Sequence, residues 1–402
     1  MSWELKSLDE LGFVSRGRSR HRPRDAAHLY GGPYPFVQTG DIKHAGLYLT
    51  QYNQTYSEAG LAQSHMWPAG TLCITIAANI ADTAILRFDA CFPDSVIGFL
   101  PDDKKADVRF IKYLFDAFLQ RKYKQFTQGA AQDNLSQAKL LSLKFPIPGI
   151  NKQKEIADVI SAYDDLIENN RRRIQLLEES ARLLYKEWFV HLRFPGHEHT
   201  KITDGIPEGW EQHSLEKLCE NVAYGYTASA IDEAVGPKFL RITDIVSKII
   251  NWGQVPYCEI DEQKLEKFLL HEGDIVVART GATVGYAKRI GKRSPVAVFA
   301  SYLVRFRFIP KFDNILAGIF MESDYYKSYV QSNGGGAAQP NANARILGGA
   351  IVLVPPPTLQ RVFRENVEPI LEQRDILNEQ NQKLTHARDL LLPKLMTGEV
   401  AV

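Results

Sequence analysis

Cysteine is scarce in this 402-residue chain: Cys73, Cys91, Cys219 and Cys258 stand far apart and form no CxxC pair. That excludes a disulfide scaffold and a cysteine-rich metal site, and leads us to expect free thiols in a reducing, cytoplasmic compartment. No run of about 18 apolar residues occurs, which excludes a membrane-spanning helix. The first ten residues contain no apolar signal core, so secretion is not expected. Net charge is almost absent, at +1, so the chain is not a generic polycation. Catalytic signatures are missing too. There is no P-loop GxxxxGK[ST], no HExxH, no GxSxG elbow and no GxGxxG between a strand and a helix. VPPPTL at 354–359 lacks the Asn or Asp and the aromatic of an amino-methyltransferase signature. His191, His197 and His199 have no cysteine or carboxylate framework around them and read as part of a linker. No metal is expected.

What is present is ordinary globular composition, 45% hydrophobic and 24% charged, enough for roughly two to four domains. The charge is unevenly placed. Segment 275–311 holds eight Lys and Arg and no Asp or Glu. Segment 104–144 holds nine basic residues against three acidic ones. Residues 15–24, SRGRSRHRPR, put Arg16, Arg18, Arg20, Arg22 and Arg24 at every second position. Basic stretches among aromatics suit a polyanion partner. The plain alternative is strand edges kept soluble by Lys and Arg.

The chain also repeats itself. GAAQDN at 129–134 returns as GAAQPN at 336–341, 207 residues on. Trp3, Leu8, Pro148 and Gln153 return as Trp210, Leu215, Pro355 and Gln360 at the same spacing. PFVQTGDI returns as KFLRITDI, and Gly70 as Gly273, 203 residues on. Five blocks in one order imply a duplicated, pseudo-twofold chain with two similar heads.

Each half ends in a heptad-patterned helix. Ile156, Ile160, Tyr163, Ile167, Asn170, Ile174, Leu177, Ala181, Leu184 and Trp188 follow 4-3 spacing, the seam of a coiled coil. A weaker seam runs through Leu377, Asn381 and Leu384, with Pro393 expected to end or kink it. With no third long helix to pack on, the two are expected to pair antiparallel. The competing arrangement packs each helix on its own head. In the heads, Trp3–Gly12 and Trp210–Glu220 look helical, PFVQTGDI and KFLRITDI read as strands, and LCITIA and DIVVAR as buried strands. Val108–Gln125 and Phe312–Gln331 read as helices. The fold class is therefore α+β. The expected order is a first head at 1–150, a helix at 151–192, a linker at 193–207, a second head at 208–357, and a second helix and tail at 358–402.

Several of these stretches resemble one family. NLSQAKLLSLKFPIPGINKQKEIADVI, LIENNRRRIQLLEESARLLYKEWFVHLRFPGHE, VARTGATVG, PFVQTGDI and DLLLPKLMTGEV are together similar to the specificity subunits of type I restriction-modification enzymes, over essentially the whole chain. The second copy departs from the first after its Asn, reading NANARIL where the first reads NLSQAKL. The resemblance implies a non-catalytic subunit whose two target-recognition domains each read half of a split double-stranded DNA site, with the two helices as spacer. It implies two modification subunits docked on the helices, supplying S-adenosylmethionine-dependent adenine methylation. Restriction subunits with ATP and Mg would add translocation and cleavage. A methylation-only complex, a coiled-coil scaffold without nucleic acid, and an enzyme with an unrecognised site stand as alternatives.

Within that frame, Arg, Lys, Asn and Gln on loops are the residue types that match base edges and phosphates. The five arginines of 16–24 are expected to grip phosphate. Gln132, Asn134, Gln339 and Asn341 have amides suited to base edges, although a motif shared by both heads is better suited to structure or phosphate positioning. Residues that differ between the copies are better specificity candidates: Gln38 against Arg241, and Asn79 against the stretch holding Arg279, Thr280 and Thr283. Lys43, Tyr226, Thr227 and Arg345 complete the candidate set.

Overall fold

The computed structural model describes residues 3–77, 81–126, 135–335 and 340–400. The chain divides into two compact units, one made of Met1–Asn170 with Asn381–Val402 and the other of Arg171–Gln380. Both units are mixed helix and strand.

In the first unit, Gly12–Arg16, Val96–Pro101, Leu72–Thr75, Thr83–Leu86 and Tyr48–Leu49 form a five-stranded sheet in that order. In the second, Cys219–Tyr224, Leu303–Phe308, Ile275–Ala278 and Ala287–Arg289 form a four-stranded sheet in the matching order. Equivalent strand residues lie 203 to 208 positions apart, close to the spacing of the repeat, the extra residue entering at the irregularity between Cys219 and Asn221. A parallel contact accompanies each sheet, Phe36 beside Cys91 and Phe239 beside Val298. Gly70 and Gly273 both turn the chain into the central strand at φ near +88°, a region that glycine enters without steric cost.

Several elements differ from the sequence reading. Trp3–Gly12 and Trp210–Glu220 each open with a strand. Glu4–Lys6 pairs with Phe145–Ile147, and Glu211–Ser214 with Ile351–Val354. Both strands close the junction where the head meets its long helix, and pairing there satisfies backbone groups that a helix would leave unpaired. PFVQTGDI and KFLRITDI are strand only to Phe36 and Leu240. Asp41 and Asp244 then accept the backbone N–H of Gln38 and Arg241, and each segment turns into a short helix. Phe312–Gln331 is two helices, Asn314–Met321 and Asp324–Asn333, because Ser323 caps a new start by accepting from Tyr326 N at 3.2 Å. The NANARIL departure proves conservative in role: Ser136 Oγ accepts from Lys139 N, and Asn343 Oδ1, at the equivalent position, accepts from Ile346 N.

The first long helix runs from Ile150 to Tyr185 and continues as a π-turn over Lys186–Val190. The second runs from Pro357 to Met396, three residues past Pro393. A helix-interior proline costs about 3 kcal/mol. Leu392, Leu395 and Met396 beyond or beside it are buried in the first head's core, each stabilising by roughly 1.5–3 kcal/mol, so burial wins.

Within the first unit the two helices are antiparallel. Asp164 accepts from Arg388 Nη1 at 2.6 Å and from Tyr113 Oη at 2.7 Å, and Asn170 Nδ2 donates to Asn381 Oδ1 at 3.0 Å. Each of these buried or half-buried polar groups is matched by another, which fixes register where an apolar seam alone would slide. Within the second unit, Tyr185, Trp188 and Phe189 pack on Phe363. Ile156, Ile160, Ile167, Asn170, Ile174, Ala181, Trp188 and Leu377 are buried; Tyr163, Leu177, Leu184, Asn381 and Leu384 are half-buried. Ile156 and Ile160 also belong to the first head's core with Phe110 and Leu114. Helix pairing and packing on the head therefore coexist along one seam.

One side chain joins each head to its helix. Gln153 accepts Asp107 N–H through Oε1 at 3.0 Å and donates through Nε2 to the carbonyls of Lys105 and Pro148, both at 2.9 Å. Gln360 repeats this on Asp313 N, Lys311 O and Pro355 O. Both glutamines are almost wholly buried. Gln153→Leu strands one buried N–H and two carbonyls, and is expected to cost roughly 2–4 kcal/mol. The urea midpoint of the first unit's transition measures this, and an unshifted midpoint would remove the clamp from the account.

Candidate nucleic-acid interface

The arginine loop follows directly from the Gly12–Arg16 strand. Gly17 permits it, because a Cβ there would stand 2.3 Å from the Phe92 carbonyl oxygen. Gly17 N and Arg18 N donate to Val96 O and Phe92 O. Gln63 Oε1 accepts from Arg20 N and His21 N, and Ser64 Oγ donates to Arg18 O at 2.8 Å. The backbone is thus fixed while the side chains stay exposed. Three of the five arginines fold back onto the protein. Arg16 Nε donates to Asp94 O, Arg24 Nη2 spans the Asp94 carboxylate at 2.9 Å to each oxygen, and Arg22 donates to the Ser19 and His21 carbonyls. Arg18 and Arg20 have no side-chain partner among the described residues and face solvent.

The second head has the same loop exit. Gly225 takes the place of Gly17, with a Cβ blocked at 2.2 Å by the Ala300 carbonyl, and Tyr226 N donates to Phe299 O as Arg18 N does to Phe92 O. Tyr226 and Thr227 therefore occupy the positions of Arg18 and Ser19. Tyr226 is half-buried against Phe268, and Thr227 is exposed.

Gln38 and Arg241 are equivalent but engaged locally. Gln38 Nε2 donates to Gln54 Oε1. Arg241 forms a two-pronged pair with Asp244 at 3.0 and 2.9 Å, which raises its pKa further. Lys43 is exposed, and Thr283 is half-buried. Asn79, Gln132, Asn134 and Gln339 lie outside the described residues.

The basic run 275–311 is largely neutralised by acids that lie outside it in the sequence. Lys288 pairs with Glu322, Lys292 with Glu372, Arg293 with Glu379, Arg307 with Asp274 and Lys311 with Glu211. Arg289 donates to Asn314 Oδ1, and Arg305 to Leu269 O and Asn221 Oδ1; burial pulls the pKa of both down. Among the described residues, Arg279 alone of the eight has no such acceptor. Its guanidinium lies over the Tyr224 ring, 4.9 Å from the centroid, with Nε buried and unpartnered. The backbone of Thr280 bridges to that of Asn341, Gly281 N donates to Pro340 O, and Arg279 O accepts from Ala342 N. The strand exit thus brings Arg279, Thr280 and Asn341 together. Arg345 lies exposed on the next helix, whose first N–H, at Ala344, donates to Tyr224 Oη. The sequence reading missed Tyr224 and the exposed Tyr302; nothing in the pattern marked their strands as ending at this corner.

Comparison with known proteins bears on what this arrangement serves. Residues 1–179 match the type I restriction modification DNA specificity domain. The chain is 24% identical to the MjaIX specificity subunit of Methanocaldococcus jannaschii, across all of this chain and 94% of that protein. It is 22% identical to the HindI specificity subunit of Haemophilus influenzae, across 97% and 98%. Over its whole length the chain is similar to the specificity subunits of type I restriction-modification systems. The S subunit of M. genitalium has the same fold, with a TM-score of 0.62 at 15% identity, covering 98% of this chain and 96% of that one. Specificity subunits are non-catalytic parts of these systems. Among the described residues, no helix of this chain is long and apolar enough to cross a membrane.

The free guanidiniums of Arg18 and Arg20 carry a direct expectation. Each phosphate contact contributes about −0.9 to the log–log slope of affinity against salt. The double variant Arg18→Ala/Arg20→Ala should flatten that slope by roughly 1–2, measured by fluorescence anisotropy on duplex DNA. An unchanged slope would place the loop away from the backbone.

Proposed function

We propose that this specificity subunit reads a split double-stranded DNA site, one half with each head, and carries two modification subunits on its helices. The observation that carries the reading is the duplication itself. Two heads share one strand order, one loop exit and one glutamine clamp, yet present different side chains at the exit. One frame with two sets of exposed side chains suits two different half-sites. The modification subunits would bind S-adenosylmethionine and methylate adenine; restriction subunits would use ATP and Mg. This chain would supply address and assembly.

The helices support the docking half of the reading. Leu176, Leu183 and Val190 recur every seven residues on one face and are 62%, 53% and 58% exposed. Side chains of this size left in water at heptad spacing suit a partner protein. Leu176→Asp/Leu183→Asp is expected to abolish co-purification with the modification subunits while leaving the circular-dichroism spectrum unchanged. Retained assembly would move docking elsewhere.

The recognition half is tested by methylome sequencing of cells whose residues 1–150 come from another family member. One half of the methylated motif should change and the other persist. A change in both halves would defeat the two-reader account.

A further inference from the structure

We propose that Arg279 reads a guanine through the major groove in the second head's half-site, with Tyr224 as the platform that holds its guanidinium. The inference rests on the split-site reading and deepens it by naming one residue and one base.

The argument begins from a corner that both heads share. Thr75 pairs with Val96 in one head and Ala278 with Leu303 in the other. One step further, Ile76 N donates to Ser95 O and Arg279 N to Tyr302 O, both at 3.0 Å. On the neighbouring strand Arg16 lies opposite Ile97, and Tyr224 opposite Val304. The backbone is the same, and all three side chains differ: Arg16, Ile76 and Ser95 against Tyr224, Arg279 and Tyr302. Discrimination between two half-sites requires differences of this kind, because identical residues carry identical preferences.

Among the described residues, Arg279 is also the one cation of 275–311 left without an acidic, amide or carbonyl partner. Its seven basic neighbours in 275–311 are paired with carboxylates or bonded to amide and carbonyl oxygens, as described above. Its own main chain is tied on both sides, to Tyr302 O and Ala342 N. The Tyr224 ring beneath it is held by the bond from Ala344 N to its hydroxyl at 3.0 Å. A guanidinium lying over a fixed ring has fewer orientations open to it, and its fork of donors matches O6 and N7 of guanine. A phosphate grip would need no such pre-orientation. In the first head the equivalent position is the buried Ile76, and the arginine at the corner, Arg16, spends its Nε on the Asp94 carbonyl.

The test uses the complex assembled with its modification subunits. Methylome sequencing defines both half-sites, and exchange of residues 1–150 shows which belongs to the second head. That half-site should contain a G·C pair whose replacement weakens wild-type binding on the order of 10- to 100-fold. Arg279→Ala should bind duplexes with all four base pairs at that position to within about threefold of one another. Arg279→Lys should fail to restore the preference, since it lacks the fork. Arg279→Gln, which keeps polarity and much of the length, provides a second variant if the alanine form melts early. Uniform weakening on all four duplexes with the salt slope reduced by about 0.9 would mean a phosphate contact and overturn the proposal. So would an unaltered base preference, or a half-site without a G·C pair. If the wild-type complex methylates no split motif, the two-reader account itself fails, and that result is distinct from the others.

Discussion

Two buried glutamine amides govern how this chain is built. A head that ends in a strand and passes at once into a long helix leaves backbone groups facing each other with no room for water. Gln153 and Gln360 answer that geometry identically, each satisfying one N–H and two carbonyls from two stretches of chain. An unsatisfied buried backbone group costs about 1–3 kcal/mol, so few other side chains serve at this place. Asp107 and Asp313, whose N–H groups are held, in turn start the helix behind each sheet. The joint, the helix start and the sheet are therefore positioned together, and the duplication has kept all three.

What duplication preserved is backbone geometry; what it released is the solvent-facing side chains. Gly17 and Gly225 persist because a Cβ would collide with a carbonyl. Ser136 in one head is Asn343 in the other, and the cap holds in both because either side-chain oxygen accepts the bond. At the sheet corner no such constraint acts, and Arg16, Ile76 and Ser95 stand where Tyr224, Arg279 and Tyr302 stand in the other head. Under the proposed split-site reading, the part that distinguishes the half-sites is most easily rewritten where the frame does not depend on it.

The large features were legible because they recur. A motif repeated 207 residues apart, or an apolar residue every three or four, survives local irregularity, and both led to the correct architecture. Local features were less legible. Trp3–Gly12 has helix-like patterning, yet its first residues pair with Phe145–Ile147, a partner about 140 residues away that no window can see. Pro393 has the local chemistry of a helix end, and only the burial of Leu395 and Met396 in the first head overrides it. Phe312–Gln331 reads as one helix until Ser323 is seen to cap the second. In each case the deciding term is non-local or rests on one hydrogen bond.

Charge was the least legible feature, and the reason bears on how the heads work. Counted along the chain, 275–311 is a strongly basic segment. In the folded head, Glu211, Glu322, Glu372 and Glu379 from outside the segment, and Asp274 at its edge, meet five of its cations. The same happens on a smaller scale at Asp94, which occupies Arg24 and, through its carbonyl, Arg16. Attraction to phosphate scales with the number of free cations, so this pairing lowers affinity for DNA of any sequence. The few cations left free then weigh more in the total. Under the proposed split-site reading that arrangement favours discrimination, because specificity is a difference of affinities, and lowering the sequence-independent part raises the share that depends on the bases.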